Sequence, residues 1–467
     1  MNQNTSYRRF SYLLVFWVYF CPLGLCGQFS GEDVLSPEFY AGRREALREQ
    51  LPPKSVALFV ASVLKERSTD QHYPYEPQAD LFYFTGIREP YVFLFIFQNG
   101  EEYLFTPPRD EWREKYDGPR LGPEEVEKSL GIAHALPAER LGSWVPPMAA
   151  KTMLLDPLPK SVEDHVMDTL LTNLKKNITL GFADIKRETT KLRDIMDQLR
   201  GHKTVEELKL LREAIRITCI AHEEVMRSAW VGISELEIEG IHELVHKTYG
   251  AHTEGYHPIV ASGKSGCILH YQKNDRSNIG AGELILMDVG ASYGGYSADI
   301  TRTFPLGGKF SPAQRLIYEV VLKAQEEAIR ICRPGRPVHD ITRLSMGIVA
   351  EELLKLNIIK KKDQVRNYFP HGATHHIGLE THDRGPYGRD DLMAAGMVLT
   401  VEPGIYIPTE SPCEEKWWGI AVRIEDDILI TADGYENMSR DLPKAPDEIE
   451  NLVQQEGSFS RIKKKTE

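Results

Sequence analysis

The sequence predicts a two-domain protein of mixed helices and strands, an α/β first half followed by an α+β second half. Three observations lead there. The 467 residues exceed what one hydrophobic core ordinarily organises, so two cores are expected. The first half interleaves apolar, strand-like runs with helical text. The second half opens on two helices before a strand-rich stretch, and that order then recurs, as two similar halves enclosing one site would require.

Taken in order, Arg8 and Arg9 precede FSYLLVFWVYFCPLGLCG at residues 10–27, and the first acidic residue is Glu32. A basic region followed by an apolar one is the order of a signal peptide, so residues 1–27 are expected to direct secretion or periplasmic export. An uncleaved membrane anchor is the second reading, because Leu23-Gly24-Leu25-Cys26 loosely resembles a lipoprotein cleavage site. A mitochondrial presequence is the weaker third, since such segments are usually amphipathic rather than continuously apolar. No later stretch is long and apolar enough to span a bilayer.

Residues 28–200 form the first expected domain. SVALFVAS, DLFYFTG and YVFLFIF place β-branched and aromatic residues between turn signals, which suits strands. No tight cluster of ligand-type side chains occurs here, so this half reads as accessory. A boundary falls at Gly201-His202-Lys203, and residues 201–450 form the second domain. Thr204 with Glu207 is a capping-box signature, and Val205, Leu208, Leu211, Ile215 and Thr218 keep the spacing of a long amphipathic helix. A second box, Ser234 with Glu237, starts a helix through IEGIHELVHKTYG. Helical text returns from Pro312 to about Ile331 and from Val338 to about Leu356, followed by strand-like MVLTVEPGIYI and GIAVRIEDDILIT. Residues 451–467 form the C-terminal tail, which from Gln454 onward, ending RIKKKTE, reads as a frayed terminus with solvated lysines.

An apolar share of 42% and a charged share of 27% are ordinary for a soluble globular protein. The formal charge of -12 gives no reason to expect nucleic acid, whose phosphates call for a basic surface. Beyond the first 27 residues, Cys219, Cys267, Cys332 and Cys413 are widely spaced and form no CxxC, so neither a zinc knuckle nor a disulfide scaffold is expected. Cys267 reads as a small packed hydrophobe. Sequons at Asn177 and Asn437 matter only in a host that glycosylates.

Residues 284–305, LILMDVGASYGGYSADITRTFP, carry the strongest chemical signal. Gly294-Gly295 suits a two-residue hairpin turn. In that register Asp299 faces Gly290, two positions from Asp288, so both carboxylates project from one face as diagonal neighbours. Farther on, Arg423, Glu425 and Asp427 share one face while Val422 and Ile424 take the other. Glu402 stands before Pro403, which removes a backbone donor and ends the strand pairing. His371 and His375 add imidazoles beside His376 and His382. Oxygen donors with one or a few histidines suit manganese, cobalt, iron or zinc rather than a thiolate site. Single acids in strands usually face solvent or pair with a base. Four carboxylates converging without cations would repel by roughly 1 to 4 kcal/mol per close pair, a cost that two divalent cations cancel.

In this order, MDVGASYGGYSADITRTFP, HGATHHIGLETHD, TVEPGIYIP and GIAVRIEDD resemble the signatures of the pita-bread metallopeptidase family. That family includes methionine aminopeptidase, Xaa-Pro aminopeptidase (aminopeptidase P) and Xaa-Pro dipeptidase (prolidase). The match runs from about residue 203 to 445, and YPYEPQADLFYFTGIREP resembles the accessory domain of aminopeptidase P, the closest member. The resemblance implies a C-terminal pita-bread catalytic domain behind an N-terminal α/β domain. By motif position it implies that Asp288 binds one metal, that Asp299 and Glu425 bridge a pair, and that His375 and Glu402 complete the set. Two divalent ions are implied, manganese first, with cobalt, zinc or iron compatible with the same donors. His376, next to the implied ligand, stays outside the set.

The resemblance further implies release of the N-terminal residue from peptides with proline second, by attack of a bridging hydroxide. Glu402 would move protons, His270 in CILHYQKND would stabilise the tetrahedral oxygen, and His382 would contact substrate or protonate the departing proline nitrogen. His371 would support the pocket, with a packed hydrogen-bonded histidine as its plainer reading. Arg423 would orient the acids or read substrate, with a structural ion pair as its plainer reading. The expected partners are Xaa-Pro peptides and no nucleic acid, and the sequence is compatible with a homo-oligomer. A dipeptidase would need basic groups for the free proline carboxylate. Between His382 and Gly396 there is only DRGPYGRDDLMAA, shorter than the arginine-bearing insertion of prolidases, which favours an aminopeptidase; Arg384 and Arg389 are the groups that could serve the alternative. A non-catalytic peptide-binding module or a metal-independent amidinohydrolase would be expected to lose ligands, and all five implied positions are filled.

Overall fold

Residues 35–460 are described by a computed structural model, apart from residues 70, 147–149, 160–161, 182–184 and 389. The expected signal at residues 1–27, the end of the tail and Arg389 lie outside the described residues.

Helix α1 (Pro37–Gln50) starts where the Ser36 hydroxyl accepts from the Phe39 amide. A six-stranded mixed sheet follows, built from β1 (Ser55–Val60), β2 (Phe93–Phe97), β3 (Glu102–Thr106), β4 (His134–Pro137), β5 (Thr152–Leu155) and β6 (Lys186–Glu188), in the order β4-β3-β2-β1-β5-β6. All five residues of β2 are buried, which is why its text is continuously apolar rather than alternating. DLFYFTG, expected as a strand, is helical: α2 (Ala79–Thr85) is capped by the Gln78 side chain and closed by Gly86 at φ +68°. Every side chain from Asp80 to Thr85 is buried, so the run carries no helical period, and seven residues are too few to separate the two readings. Helices α3 (His165–Gly181) and α4 (Thr189–Gly201) complete a core that includes Phe39, Leu47, Leu171 and Met196.

The second core belongs to the rest of the chain. Helix α5 (Val205–Ser228) begins at the Thr204/Glu207 capping box and α6 (Glu235–Thr248) at the Ser234/Glu237 box, both closed reciprocally. Leu211, Ile215 and Thr218 are buried as expected, but Val205 is exposed, being the first helical residue and ahead of the packed turns. Next come β7 (Thr253–Glu254), β8 (Ile259–Ser262), β9 (Leu284–Val289), β10 (Ala291–Tyr293), β11 (Tyr296–Ser297) and β12 (Ile300–Pro305). Pairs Leu284↔Pro305 to Val289↔Ile300 and Ser292↔Ser297 to Tyr293↔Tyr296 keep one register from end to end. Gly294 and Gly295 turn at φ +58° and +92°, the doubly positive turn of a tight hairpin.

Helices α7 (Pro312–Arg330) and α8 (Asp340–Lys355) pack on each other, and β13 (Val398–Val401), β14 (Gly404–Tyr406), β15 (Ala421–Arg423), β16 (Asp426–Ile430), β17 (Tyr435–Asn437) and helix α9 (Pro446–Val453) follow. The two late strand-like runs are each divided. Pro403 separates β13 from β14, and Ile424-Glu425 separates β15, paired with β14, from β16, paired with β13. The two sequon amides are engaged within the fold, Asn177 Nδ2 donating to the Leu141 carbonyl at 3.0 Å and Asn437 Nδ2 to Asp426 at 2.8 Å.

Candidate metal centre

The hairpin delivers its two aspartates through backbone register alone. Asp288 pairs with Thr301 near the end of β9, and the same register sets Gly290 against Asp299. The Tyr256 hydroxyl lies between the carboxylates, 2.5 Å from Asp288 Oδ1 and 2.7 Å from Asp299 Oδ1. On the other side, Arg423 Nη2 donates to Asp288 Oδ2 at 2.5 Å, Nε to Thr301 Oγ1 at 3.0 Å and Nη1 to the Tyr406 hydroxyl at 2.9 Å. Thr301 Oγ1 in turn donates to Glu425 Oε2 at 2.6 Å, and the Glu425 amide to the Thr301 carbonyl at 3.1 Å. The break between β15 and β16 thus presents Glu425 to the hairpin.

His375 and Glu402 arrive from the opposite side. The His375 amide donates to Thr400 Oγ1 at 3.0 Å, and the Glu402 amide to the Ala373 carbonyl at 3.0 Å. His375 Nδ1 lies 2.9 Å from the His376 carbonyl and so carries the proton, leaving Nε2 to face Asp299 Oδ2 at 3.4 Å and Glu402 Oε1 at 3.5 Å. Donor atoms of Asp299, His375 and Glu425 lie within 4.8 Å of one another. Glu402 joins them through His375, and Asp288 through the shared Tyr256.

Negative charge dominates this space. Burial pushes the Glu425 and Asp427 carboxyls well up, with Asp299 adding to both. Asp288 is also raised by burial, against the pull of Arg423, and Glu402 is raised to about 7 by burial despite His375 and Arg423. For His375, burial opposes the charged form, but the Asp299 hydrogen bond and the Glu402 charge outweigh it and lift the imidazole to about 9. Asp427 Oδ2 accepts from the Asp299 amide at 3.1 Å, while its Oδ1 has no partner. Hard oxygen donors in excess, one imidazole and too little compensating positive charge fit divalent cations.

Two families cover the chain in sequence: the aminopeptidase P N-terminal domain matches residues 40–154, and metallopeptidase family M24 matches residues 209–432. The chain is 37% identical to the Xaa-Pro aminopeptidase of Escherichia coli over 90% of its own length and 98% of that protein. The chain belongs to metallopeptidase family M24. Against the mitochondrial intermediate cleaving peptidase 55 of Arabidopsis thaliana, this M24 chain is 30% identical over 89% of its length and 84% of the relative. In three dimensions it matches zinc-substituted Escherichia coli aminopeptidase P in complex with product at a TM-score of 0.82 and 35% identity, covering 90% and 98% of the two chains. Its second domain is therefore the pita-bread fold of the M24 family, with an aminopeptidase P domain in front.

Three more histidines surround the centre of this M24 chain. The His382 ring stands edge-on to His375 with centroids 4.3 Å apart, and burial followed by the His375 charge lowers its pKa. His371 holds Nε2 2.9 Å from the Tyr406 hydroxyl and Nδ1 2.6 Å from the Gly372 carbonyl, and burial with Arg423 nearby keeps it down at about 4. His270 is exposed beyond the turn at Gly263–Cys267, and its charge acts on both His371 and His382. His376 points elsewhere, its Nε2 3.0 Å from the Pro386 carbonyl.

Sequence reasoning missed Tyr256, Thr301 and Tyr406. Thr301 was within reach, since strand alternation puts it on the face of Asp299. Tyr256 comes from an irregular segment after β7, and nothing in TEGYHP announces its target. Arg384, the candidate reader of a proline carboxylate, spends Nη2 on Asp80 and Asp156, each at 3.0 Å.

Proposed function

We propose that this chain is a metal-dependent Xaa-Pro aminopeptidase that releases the N-terminal residue from peptides with proline in second position. The observation that carries this reading is the convergence of Asp299, His375 and Glu425 within 4.8 Å, with Asp288 and Glu402 tied in by Tyr256 and His375. Asp288, Asp299, His375, Glu402 and Glu425 would hold two divalent ions, manganese being the first choice. When bound, such a pair supplies an activated water near neutral pH and polarises the scissile carbonyl.

The side chains perform the remaining work. Glu402, raised to about 7 and 3.6 Å from His371 Nδ1, is matched to taking up and returning a proton near neutral pH. His382, whose lowered pKa keeps it largely neutral there, contacts substrate or relays a proton to the proline nitrogen, which has no N–H of its own. His270, exposed at the rim, donates to the oxygen of the attacked carbonyl. Arg423 orients acids rather than reading substrate, because Nε, Nη1 and Nη2 are all engaged by protein groups. His371, fixed by Tyr406, supports the pocket.

The engagement of Arg384 by two acids of the first domain favours an aminopeptidase over a dipeptidase. Hydrolysis of matched Xaa-Pro and Xaa-Pro-Yaa peptides, followed by mass spectrometry of the products, tests this. Release of the first residue from tripeptides is expected, and failure on every tripeptide overturns the choice. The basic-then-apolar segment at residues 1–27 would route the enzyme to an export pathway, and among the described residues no helix is long and apolar enough to cross a membrane.

A further inference from the structure

A second set of metal-ligating side chains lies apart from the centre described above. His242 and His246 stand one helical turn apart on α6, and Glu254 closes the set from β7; one donor atom from each lies within 4.8 Å of the others. Both imidazoles are fully buried. Neither nitrogen of His242 has a hydrogen-bond partner, nor does His246 Nε2, while His246 Nδ1 lies 2.7 Å from Glu254 Oε2. Fully buried His222, from α5, adds a Nδ1 that also lacks a partner, since its Nε2 is taken by the Ile300 carbonyl at 3.0 Å.

Buried polar nitrogens without partners are rare in folded proteins and call for an explanation. Charging the imidazoles does not supply one: burial first, then mutual repulsion, holds His242 far below its ordinary value, and His222 is held at about 3. A cation accepting their lone pairs does. The Glu254 carboxylate, 2.7 Å from His246 Nδ1, adds an oxygen donor and a negative charge to the two imidazoles, a donor set that suits zinc.

The text of α6 here is His242-Glu243-Leu244-Val245-His246, the spacing with which a helix places two imidazoles on one face toward zinc. In hydrolytic sites of that spacing the intervening glutamate faces the ion's open position. Here Glu243 points outward to Lys247 at 2.6 Å, and the imidazoles are shut away from solvent, so the arrangement suits a structural ion. Glu254 keeps part of its side chain exposed on a cleft of about 1330 Å³, which provides a path of entry.

We propose that His242, His246 and Glu254 bind a single structural divalent ion of the zinc class, independent of the peptidase centre. Such an ion pins β7 to α6. Glu254 pairs with Ala291 on β10, the Gly255 amide donates to the Gly290 carbonyl at 2.8 Å, and Tyr256 then reaches Asp288 and Asp299. The ion thereby steadies the segment that delivers the shared phenol.

The test is equilibrium dialysis of the chelator-stripped full chain against zinc, with metal content read by atomic spectroscopy, in wild type, in Asp299→Asn/Glu425→Gln, and in each with His246→Gln or Glu254→Gln added. One equivalent is expected to persist in Asp299→Asn/Glu425→Gln and to disappear when either further substitution is made. In the Asp299→Asn/Glu425→Gln protein, zinc should raise Tm, and Glu254→Gln, at the partly exposed rim, should abolish that rise while the far-UV spectrum stays unchanged. Absence of the equivalent in Asp299→Asn/Glu425→Gln, or its survival in either further variant, overturns the proposal. Neither result depends on peptidase activity.

Discussion

Tyr256 is the residue on which the geometry of the two aspartates turns. Its hydroxyl is within hydrogen-bond distance of both carboxylates, and removing a group that orients metal ligands typically lowers metal affinity or activity 10- to 100-fold. Tyr256→Phe should weaken manganese binding by about that factor, measured by titration of the stripped enzyme. Titration behaviour gives a second expectation. In the metal-free protein Glu402 and His375 both sit above their ordinary values, at about 7 and about 9. The folded state therefore holds more protons than the unfolded chain, and the stability those protons contribute is lost as pH rises through 7 and then 9. Cations must displace the same protons, so affinity should fall as pH drops below about 9 and again below about 7. Calorimetry in buffers of different ionisation enthalpy should register proton release on loading near neutral pH; its absence would contradict these assignments.

At the scale of elements, the hairpin from β9 to β12 shows what was legible in the sequence and why. Two adjacent glycines fix a tight turn, strand alternation fixes the faces, and Asp288 and Asp299 follow from those facts alone. Both glycines occupy positive φ, and a Cβ on Gly295 would lie 2.8 Å from the Phe82 ring and 3.0 Å from Arg88. Gly295→Val should cost at least about 1 to 2 kcal/mol from the left-handed backbone alone, measurable as a lower denaturant midpoint. The capping boxes of α5 and α6 were equally readable, because each is a local exchange of two hydrogen bonds. What failed was α2, whose burial on all sides erased its period. The buried imidazoles of α6 went unread because their meaning depends on Glu254 arriving from another element. Tyr256 was invisible for the same reason, since tertiary folding and no local rule brings its segment to the hairpin.

Across the whole molecule, a largely buried ionic knot joins the two domains. Arg200, at the end of α4, donates to Asp80 of the first domain at 2.6 Å and to Glu380 at 2.8 Å, and it also engages Asp383, which Lys203 meets at 3.0 Å. Asp383 follows His382 directly, so the knot that joins the domains also fixes the loop bearing a proposed catalytic imidazole. Arg200→Met should destabilise the protein by about 3 to 5 kcal/mol, the usual consequence of leaving buried charges without their partner, and should lower kcat more than it raises KM. Unchanged stability in urea would show that the knot is dispensable. The proposed activity requires two cations to meet five side chains contributed by the hairpin, the His375 segment and the ends of β13 and β15. An anomalous difference map from crystals of the manganese-loaded protein tests it most directly. Two peaks about 3.5 to 4 Å apart, ringed by Asp288, Asp299, His375, Glu402 and Glu425, are predicted; a map with no peak there, or with one that Asp299 and Glu425 do not touch, would contradict it.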